Sequence, residues 1–299
     1  LMVGLGVYIY LPLAARSRPP VCWGQPDTLR GFWWLVSGRL YHGYAFGLSL
    51  AALPARLSYW ARLWGAQAGW HTLAFGLLGG RLLWERDRRR GAALGAIFAA
   101  YTLYALGYAT RDSTAYLIPA FLVGTLWAAE GLAESWAWLR ARRSMPPWAC
   151  SALGVVLLCA PAGWAVASNV TVVDASADRE AFHWARDVAE ALPPGALVIT
   201  GDDRHTFTLA YLQWAEGRRK DLLVVDGDLW QQPWYAAQIA ARAALPGLTT
   251  PCPLADLAGL ATDERPVALT TWRGELAEGL GVTLREGYWV LGRKPLAGR

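Results

Sequence analysis

Two short acidic turns have the spacing most suggestive of chemistry in this chain. Gly201-Asp202-Asp203 and Asp226-Gly227-Asp228 each follow an apolar run of strand type, and the first leads into a helical pattern. Sheets in α/β folds place ligand sites at such points, because the C-terminal ends of the strands open into a crevice. The commoner use of these residues is structural: an Asp before a helix accepts its first free N–H groups, and Asp-Gly turns the chain. Ligand contact is the alternative for Asp202, and together the two turns could line one edge of a sheet. Asp112 stands beside Arg111 in a short polar stretch between apolar runs. An acid there can hold a polar ligand at a membrane-embedded cavity, or simply form a solvated pair with its neighbour.

Other chemistry finds little support. The histidines, His42, His71, His183 and His205, are scattered through different elements at no ligand spacing, so no metal site is expected. No nucleophile elbow, phosphate-binding loop or dinucleotide fingerprint occurs, so hydrolase, NTPase and dehydrogenase readings lack a motif.

A different kind of candidate lies near the start, where Arg18-Pro19-Pro20-Val21-Cys22-Trp23-Gly24-Gln25-Pro26-Asp27 is soon followed by Phe32-Trp33-Trp34 and by Arg39 and Tyr41. So many rings and prolines exceed what a connector needs. They suit a platform for sugar or lipid, and equally an interfacial helix anchored by Phe32, Trp33 and Trp34.

The elements that must position these residues divide the chain in two. Residues 1–168 carry long apolar runs, whereas 169–299 have the charge density and Gly/Pro punctuation of a globular domain. Crossing a bilayer takes about 20 mostly apolar residues, and 67–84, 91–109, 115–139 and 148–168 come close. Residues 1–15, with no basic stretch before the apolar run, read as the tail of a further span and not as a signal peptide. Trp70, Trp84, Tyr108, Tyr116, Trp136, Trp138, Trp148 and Trp164 stand near the ends of these runs, the level that Trp and Tyr prefer.

Arginine density sets the sidedness. Arg86, Arg88, Arg89 and Arg90 fill one short loop and Arg140, Arg142 and Arg143 another, so both are expected in the cytoplasm. Two spans separate them, which is consistent with a common side. The intervening loop with Asp112, the segment 16–66 and the domain from Asn169 onward are then expected outside. Within 16–66, residues 45–64 are interrupted by Pro54, Arg56 and Arg62 and fit an interfacial helix better than a span. Glu130 and Glu134, one turn apart, lie near the end of their run, which weakens a transporter reading.

Composition agrees with this division, since 55% hydrophobic against 17% charged residues is lopsided for a soluble protein. The formal charge of +5 comes from arginines blocked beside apolar runs, which is what topology requires and not a nucleic-acid footprint. Four cysteines make neither a zinc site nor a disulfide framework: Cys150 and Cys159 fall inside an apolar run, and a Cys22–Cys252 bridge has only weak support.

Residues 169–299 alternate helix and strand. The spacing predicts helices over 178–192, 205–216 and 234–244, and strands over 196–200, 222–225, 267–271 and 288–291. Pro193-Pro194-Gly195 and Pro246-Gly247 end the first and third helices. The expectation is a small α/β domain with a mostly parallel sheet covered by helices.

The aromatic segment also carries a resemblance. Tyr10, then Pro19-Pro20-x-x-Trp23-Gly24-x-Pro26-x-Thr28 and Ser37-Gly38-Arg39-x-Tyr41, resemble a multi-pass membrane family of unknown function related to protein O-mannosyltransferases. The likeness continues in Asp112-x-x-x-Tyr116-x-x-Pro119, in Asn169 and Asp174, in Gly201-Asp202 through Tyr211, and from Leu229 to Pro233-Trp234-Tyr235. It implies a GT-C-like α-helical membrane bundle followed by the small extracytoplasmic α/β domain, in the plasma (inner) membrane. A polyprenyl-phosphate-linked sugar is the implied donor, taken from among the membrane lipids, and an extracytoplasmic protein or glycan is the acceptor. No cofactor in the chain, no metal and no nucleic-acid partner are implied.

In such enzymes a carboxylate in the first outward loop serves as base or metal ligand, and that part of the pattern precedes Leu1. The chain thus resembles a C-terminal portion, and no catalytic residue is assigned to it. By matching position, Trp23, Asp27, Arg39, Tyr41 and Asp112 are candidates to line an outward cavity, with Arg39 able to hold a lipid phosphate. Asp202, Tyr211, Trp234 and Tyr235 are candidates for acceptor contact or for docking onto the membrane part. The rival reading is a non-catalytic, membrane-anchored binding domain.

Overall fold

The computed structural model describes residues 6–141, 146–245, 247–277, 280–285 and 288–293. It forms two compact units, Leu40–Ala175 and a second made of Leu1–Arg39 with Ser176–Arg299. The expected boundary is 168/169; the helix there runs on to Val173, and the described residues 6–39 group with the C-terminal domain. In that N-terminal stretch lie α1 (Tyr10–Arg16) and α2 (Leu29–Val36). Thr28 starts α2 by accepting a hydrogen bond from the Gly31 N–H at 3.0 Å.

The unit Leu40–Ala175 is helical. It comprises α3 (Leu53–Ala68), α4 (Trp70–Arg86), α5 (Arg88–Gly107), a 3-10 turn (Arg111–Leu117), α6 (Ile118–Ala141) and α7 (Pro147–Val173). Pro54 opens α3, where its missing N–H costs nothing, and Asp87 caps α5 by accepting from the Arg89 and Arg90 N–H groups. The closest packing joins α4 to α6 through glycines: a Cβ at Gly79 would lie 1.8 Å from the Trp127 carbonyl, and one at Gly131 2.1 Å from that of Phe75. Backbones approach this closely only where side chains are missing.

The match to the expected spans is partial. Helices cover all four apolar runs, but among the described residues one helix, Asp112–Ala141, is long and apolar enough to cross a membrane, and Ala162–Val173 is a shorter apolar stretch. Physically, α4 carries Arg81, Glu85 and Arg86, and α5 begins with three arginines. The 45–64 segment also differs from an interfacial helix. Trp64 of α3 is buried, stacks on Phe121 at 4.5 Å, and fills the space a side chain at Gly124 would need. Glu134 pairs with Arg86, tying α6 to the end of α4. Arg142 and Arg143 lie outside the described residues.

The other unit is a three-layer α/β domain. Its helices are α8 (Glu180–Ala191), α9 (Asp203–Trp214), α10 (Pro233–Ala243), α11 (Leu254–Glu264) and the short α12 (Gly274–Ala277). Its strands are β1 (Leu197–Thr200), β2 (Leu223–Asp226), β3 (Val267–Leu269), β4 (Leu280–Arg285) and β5 (Tyr288–Arg293), in the order β2-β1-β3-β5-β4. Pairing is parallel across β2-β1-β3 and antiparallel for β3-β5 and β5-β4, so the sheet is mixed and not mostly parallel. The unforeseen β4 makes a hairpin with β5, which needs no crossover helix. Val198, Val224 and Ala268 pack against Ala185, Val188, Leu209 and Leu212 of α8 and α9. On β2 and β3, α10 and α11 add Tyr235, Ile239, Leu257 and Ala261 to the core.

Candidate functional site

The helical unit holds a cavity of about 760 Å³. Leu63 and Gln67 of α3, Thr72 of α4, Ile118, Phe121 and Thr125 of α6, and Ala162, Trp164 and Ala165 of α7 form its walls, and Asp112, Thr114 and Ala115 come from the 3-10 turn. That turn is fixed from behind. The Arg56 guanidinium donates to the Thr110 carbonyl at 3.1 Å and to the Ser113 hydroxyl, and Ser113 and Leu117 are buried. Around its far end Tyr104, Tyr108 and Tyr116 meet edge to face or tilted, with centroids 5.0 to 5.3 Å apart.

A space of this size accepts a ligand of several rings' bulk, and its chemistry is asymmetric. Most of the lining is apolar, while Gln67, Thr72, Thr114 and Thr125 offer hydrogen bonds and Asp112 brings a carboxylate. An ionised carboxylate only accepts, so Asp112 suits hydroxyl groups and repels a phosphate. Among the described residues, none of those lining the cavity is basic. Arg39, the expected phosphate ligand, stands in the other unit as an exposed residue, as does exposed Asp27. Tyr41 is exposed on the 3-10 turn Arg39–Tyr44.

At the C-terminal edge of the sheet the candidate acids have structural partners. Asp202 caps α9, accepting from the Arg204 N–H at 2.9 Å and pairing with the same residue's guanidinium, which holds its carboxyl below the usual carboxylate range. Asp226 is buried, and it accepts from the Asp228 and Leu229 N–H groups, both at 2.9 Å, and from the Thr206 hydroxyl at 2.9 Å. Tyr235 is buried beneath it, with its hydroxyl oxygen accepting from the Asp226 N–H at 2.8 Å; burial pushes its pKa up to about 12.

The order β2-β1-β3 puts a switch point between the ends of β1 and β3, where ligands of such sheets usually bind. Arg273 occupies that edge. Its guanidinium pairs with Asp228 at 2.6 Å and Glu275 at 3.5 Å, and lies so close to Gly201 and Gly227 that a Cβ there would sit 3.1 and 2.9 Å from it. Beside it His205 stacks on Trp184 at 4.0 Å, with Nδ1 3.1 Å from the Thr270 hydroxyl, and its burial lowers its pKa. At both turns a side chain in place of glycine would have to displace the Arg273 guanidinium.

Trp23 and Trp234, two residues from distant candidate groups, come together. Their ring centroids are 5.6 Å apart, Phe207 stacks on Trp23 at 6.3 Å, and Trp34 meets Trp234 edge-on at 5.7 Å. The Gln238 side chain clips the same segment, accepting from the Cys22 N–H at 2.8 Å and donating to the Cys22 carbonyl at 2.9 Å. Arg242 donates to the Pro20 carbonyl and lies 5.4 Å from the centre of the Trp214 ring. Cys22 and Cys252 are both free thiols. Tyr211 is exposed on α9.

Sequence reasoning missed Arg273, Gln238, Phe207 and the polar cavity residues Gln67, Thr72 and Thr125. Of these, only Phe207 had a local signal, its spacing with Tyr211 and Trp214 along one helix face.

Comparisons with known proteins bear on both units. Residues 181–250, from α8 through α10, match the family model of the TMEM260-associated domain 2. The chain is similar to the protein O-mannosyl-transferase TMEM260 of Mus musculus, with 23% identity over 270 residues. The aligned region is 83% of this chain and 37% of that protein, so the chain spans little more than a third of its relative. No solved structure matches. The expected relation to protein O-mannosyltransferases is borne out.

Proposed function

From this relation we propose that the chain is part of a membrane glycosyltransferase that moves a sugar from a polyprenyl-phosphate donor to an extracytoplasmic acceptor, foremost a protein. The cavity beside Asp112 is the observation that carries the reading. A lipid-linked sugar is apolar along its tail and rich in hydroxyls at its head, and the cavity has apolar walls with hydrogen-bonding groups and one carboxylate. Asp112 accepts from sugar hydroxyls in this scheme, and the phosphate is held by basic groups elsewhere.

Multi-pass insertion in the plasma (inner) membrane belongs to the same proposal. Its support is the 30-residue apolar helix Asp112–Ala141 and the 27-residue α7, which has no charged residue and a length of about 40 Å at 1.5 Å per residue. The α/β unit then lies outside the cytoplasm as a binding module, in which Asp202 and Asp226 accept from backbone N–H groups and Arg273 pairs with Asp228 at the strand ends.

The test is photolabelling of the full-length protein with a diazirine-bearing polyprenyl phosphate mannose. Labelling is expected on α3, α6 or α7, competed by unlabelled donor, and reduced about tenfold when Ala115→Trp or Ala165→Trp fills the cavity. Asp112→Asn is expected to lower sugar transfer while leaving capture of a sugar-free polyprenyl phosphate unchanged. Donor capture that is indifferent to both cavity-filling variants would sink the assignment.

A further inference from the structure

The N-terminal segment docked on the α/β unit is apolar on both of its sides. In α2, Trp34 packs on Trp234 of the domain, and Gly31, on the same side of the helix, lies against the segment's own turn, where a Cβ would sit 2.0 Å from the Gln25 carbonyl. The opposite face consists of Leu29, Phe32, Trp33 and Val36, because positions i, i+3, i+4 and i+7 share one side of a helix. Leu29 is 82% and Trp33 65% exposed. A surface helix with one face against a core normally shows a polar face to water, and a helix that is apolar all round has a second apolar neighbour.

Aromatic surface continues from there. Trp34, Trp234, Trp23 and Phe207 touch in sequence, and Phe207, Tyr211 and Trp214 follow at helical spacing along α9, each about half exposed. Neither α2 nor α10 contains an acidic residue, and each carries one arginine, Arg30 and Arg242. Rings mixed with arginine are the composition of the bilayer's headgroup level.

We infer that this aromatic face of the α/β unit, from Leu29 and Trp33 across to Tyr211 and Trp214, docks on the headgroup level of the bilayer. The inference rests on the proposed membrane insertion of α7. Residues 174–179 are the whole connector from α7 to α8, and six residues reach about 20 Å at most, so a spanning α7 keeps the unit at the lipid surface. Arg30 and Arg242 add attraction to an anionic lipid surface, and the exposed acids Asp27 and Asp203 lie at the margins of this face.

The experiment uses the full chain in phosphatidylcholine/phosphatidylglycerol nanodiscs, with the four native cysteines replaced by serine and an environment-sensitive fluorophore on Trp33→Cys, Tyr211→Cys or, as reference, Asp187→Cys on the exposed side of α8. Positions 33 and 211 are expected to be quenched by nitroxide lipid and protected from aqueous iodide about fivefold relative to 187. Equal iodide quenching at all three positions overturns the inference. So does protection at 211 by a soluble manno-oligosaccharide without lipid, which would mark a glycan platform.

Leu29→Glu in the otherwise native chain gives a second readout: trypsin cleavage after Arg30 and Arg39 in nanodiscs is expected to rise severalfold with thermal unfolding in detergent unchanged, and an unchanged cleavage rate counts against the docking. Alkaline carbonate extraction separates the two levels. A chain that stays with the bilayer while its labels remain water-exposed refutes only the docking, and a chain that is extracted refutes the membrane reading as well.

Discussion

Replacing Gln238 by methionine removes two hydrogen bonds and keeps the side-chain volume. The amide of Gln238 holds the backbone of Cys22 on both sides, a contact between residues 216 positions apart. At about 1 kcal/mol per hydrogen bond the pair contributes about 2 kcal/mol to docking, so Gln238→Met raises the undocked population roughly 30-fold. Cys22 itself reports the change. Burial, and secondarily the charge of Asp27, raise its thiol pKa in the docked state, and release returns it toward about 8.5.

The assay is the rate of maleimide modification at pH 7 with the other three cysteines replaced by serine. Because Cys22 is half-buried and reacts to some extent when docked, the expected increase is capped at roughly tenfold. The pH profile has a definite sign. A thiol whose pKa is raised on docking favours the docked state at all pH values below the released pKa, and that contribution is lost as pH rises through the docked one. Docking therefore weakens in alkali, and the profile of Gln238→Met moves to lower pH. A rate within twofold of the parent with an unmoved profile would refute the clip.

Three further outcomes follow from packing and charge. Gly79→Ala is expected to cost about 1 to 3 kcal/mol by forcing α4 from α6, seen as a lower melting temperature in detergent; Gly95→Ala, with open space at its Cβ position, is the control, and equal melting of the two would contradict the close approach. Asp226→Ala leaves two N–H groups and the Thr206 hydroxyl without their acceptor, an expected loss of about 3 kcal/mol in the denaturant unfolding of the α/β unit. Hydrogen bonds from Arg219, then the Gly195 N–H, pull the Asp221 carboxyl down to about 2. Its stabilisation is present above the ordinary carboxylate value and is lost as pH falls toward 2, so Asp221→Asn should flatten the acid limb of the melting curve; partial exposure keeps the effect small and sensitive to salt.

The alternation of helix and strand after Asn169 was legible because turn residues punctuate it. Pro193-Pro194-Gly195 ends α8 and lets β1 begin, and the buried runs of β1 and β2 have no polar interruption. What escaped was β4, an edge strand whose Leu284 is exposed, since an edge pairs on one side and need not alternate cleanly. In α11, Leu254, Leu257, Ala258 and Ala261 have helical spacing, but Pro251 and Pro253 mask its start. Among the apolar runs, hydropathy located helices better than it located spans: α4 and α6 owe their contact to Gly76, Gly79 and Gly131, and small residues favour helix packing without adding much apolarity.

The site residues divide along a similar line. Asp112 was legible, because a carboxylate between apolar runs is costly unless something polar meets it. Asp202 and Asp226 could not be separated from ligand-binding acids by sequence, since a cap and a ligand site use the same residue at the same sheet edge, and only the position of Arg273 shows that the edge is filled. The aromatic segment was legible as a surplus of rings without a direction for them. Its rings have two destinations: Trp23 and Trp34 close on Trp234 and Phe207, while Leu29 and Trp33 point away from the domain. Core packing alone accounts for the first pair and leaves the second exposed. An interfacial role alone leaves unexplained the positive φ of Gly24, where Trp34 lies 2.8 Å from a would-be Cβ. Under the proposed docking both faces of α2 have a use, one fastened to the α/β unit through Trp34 and the other, with exposed Leu29 and Trp33, turned to lipid.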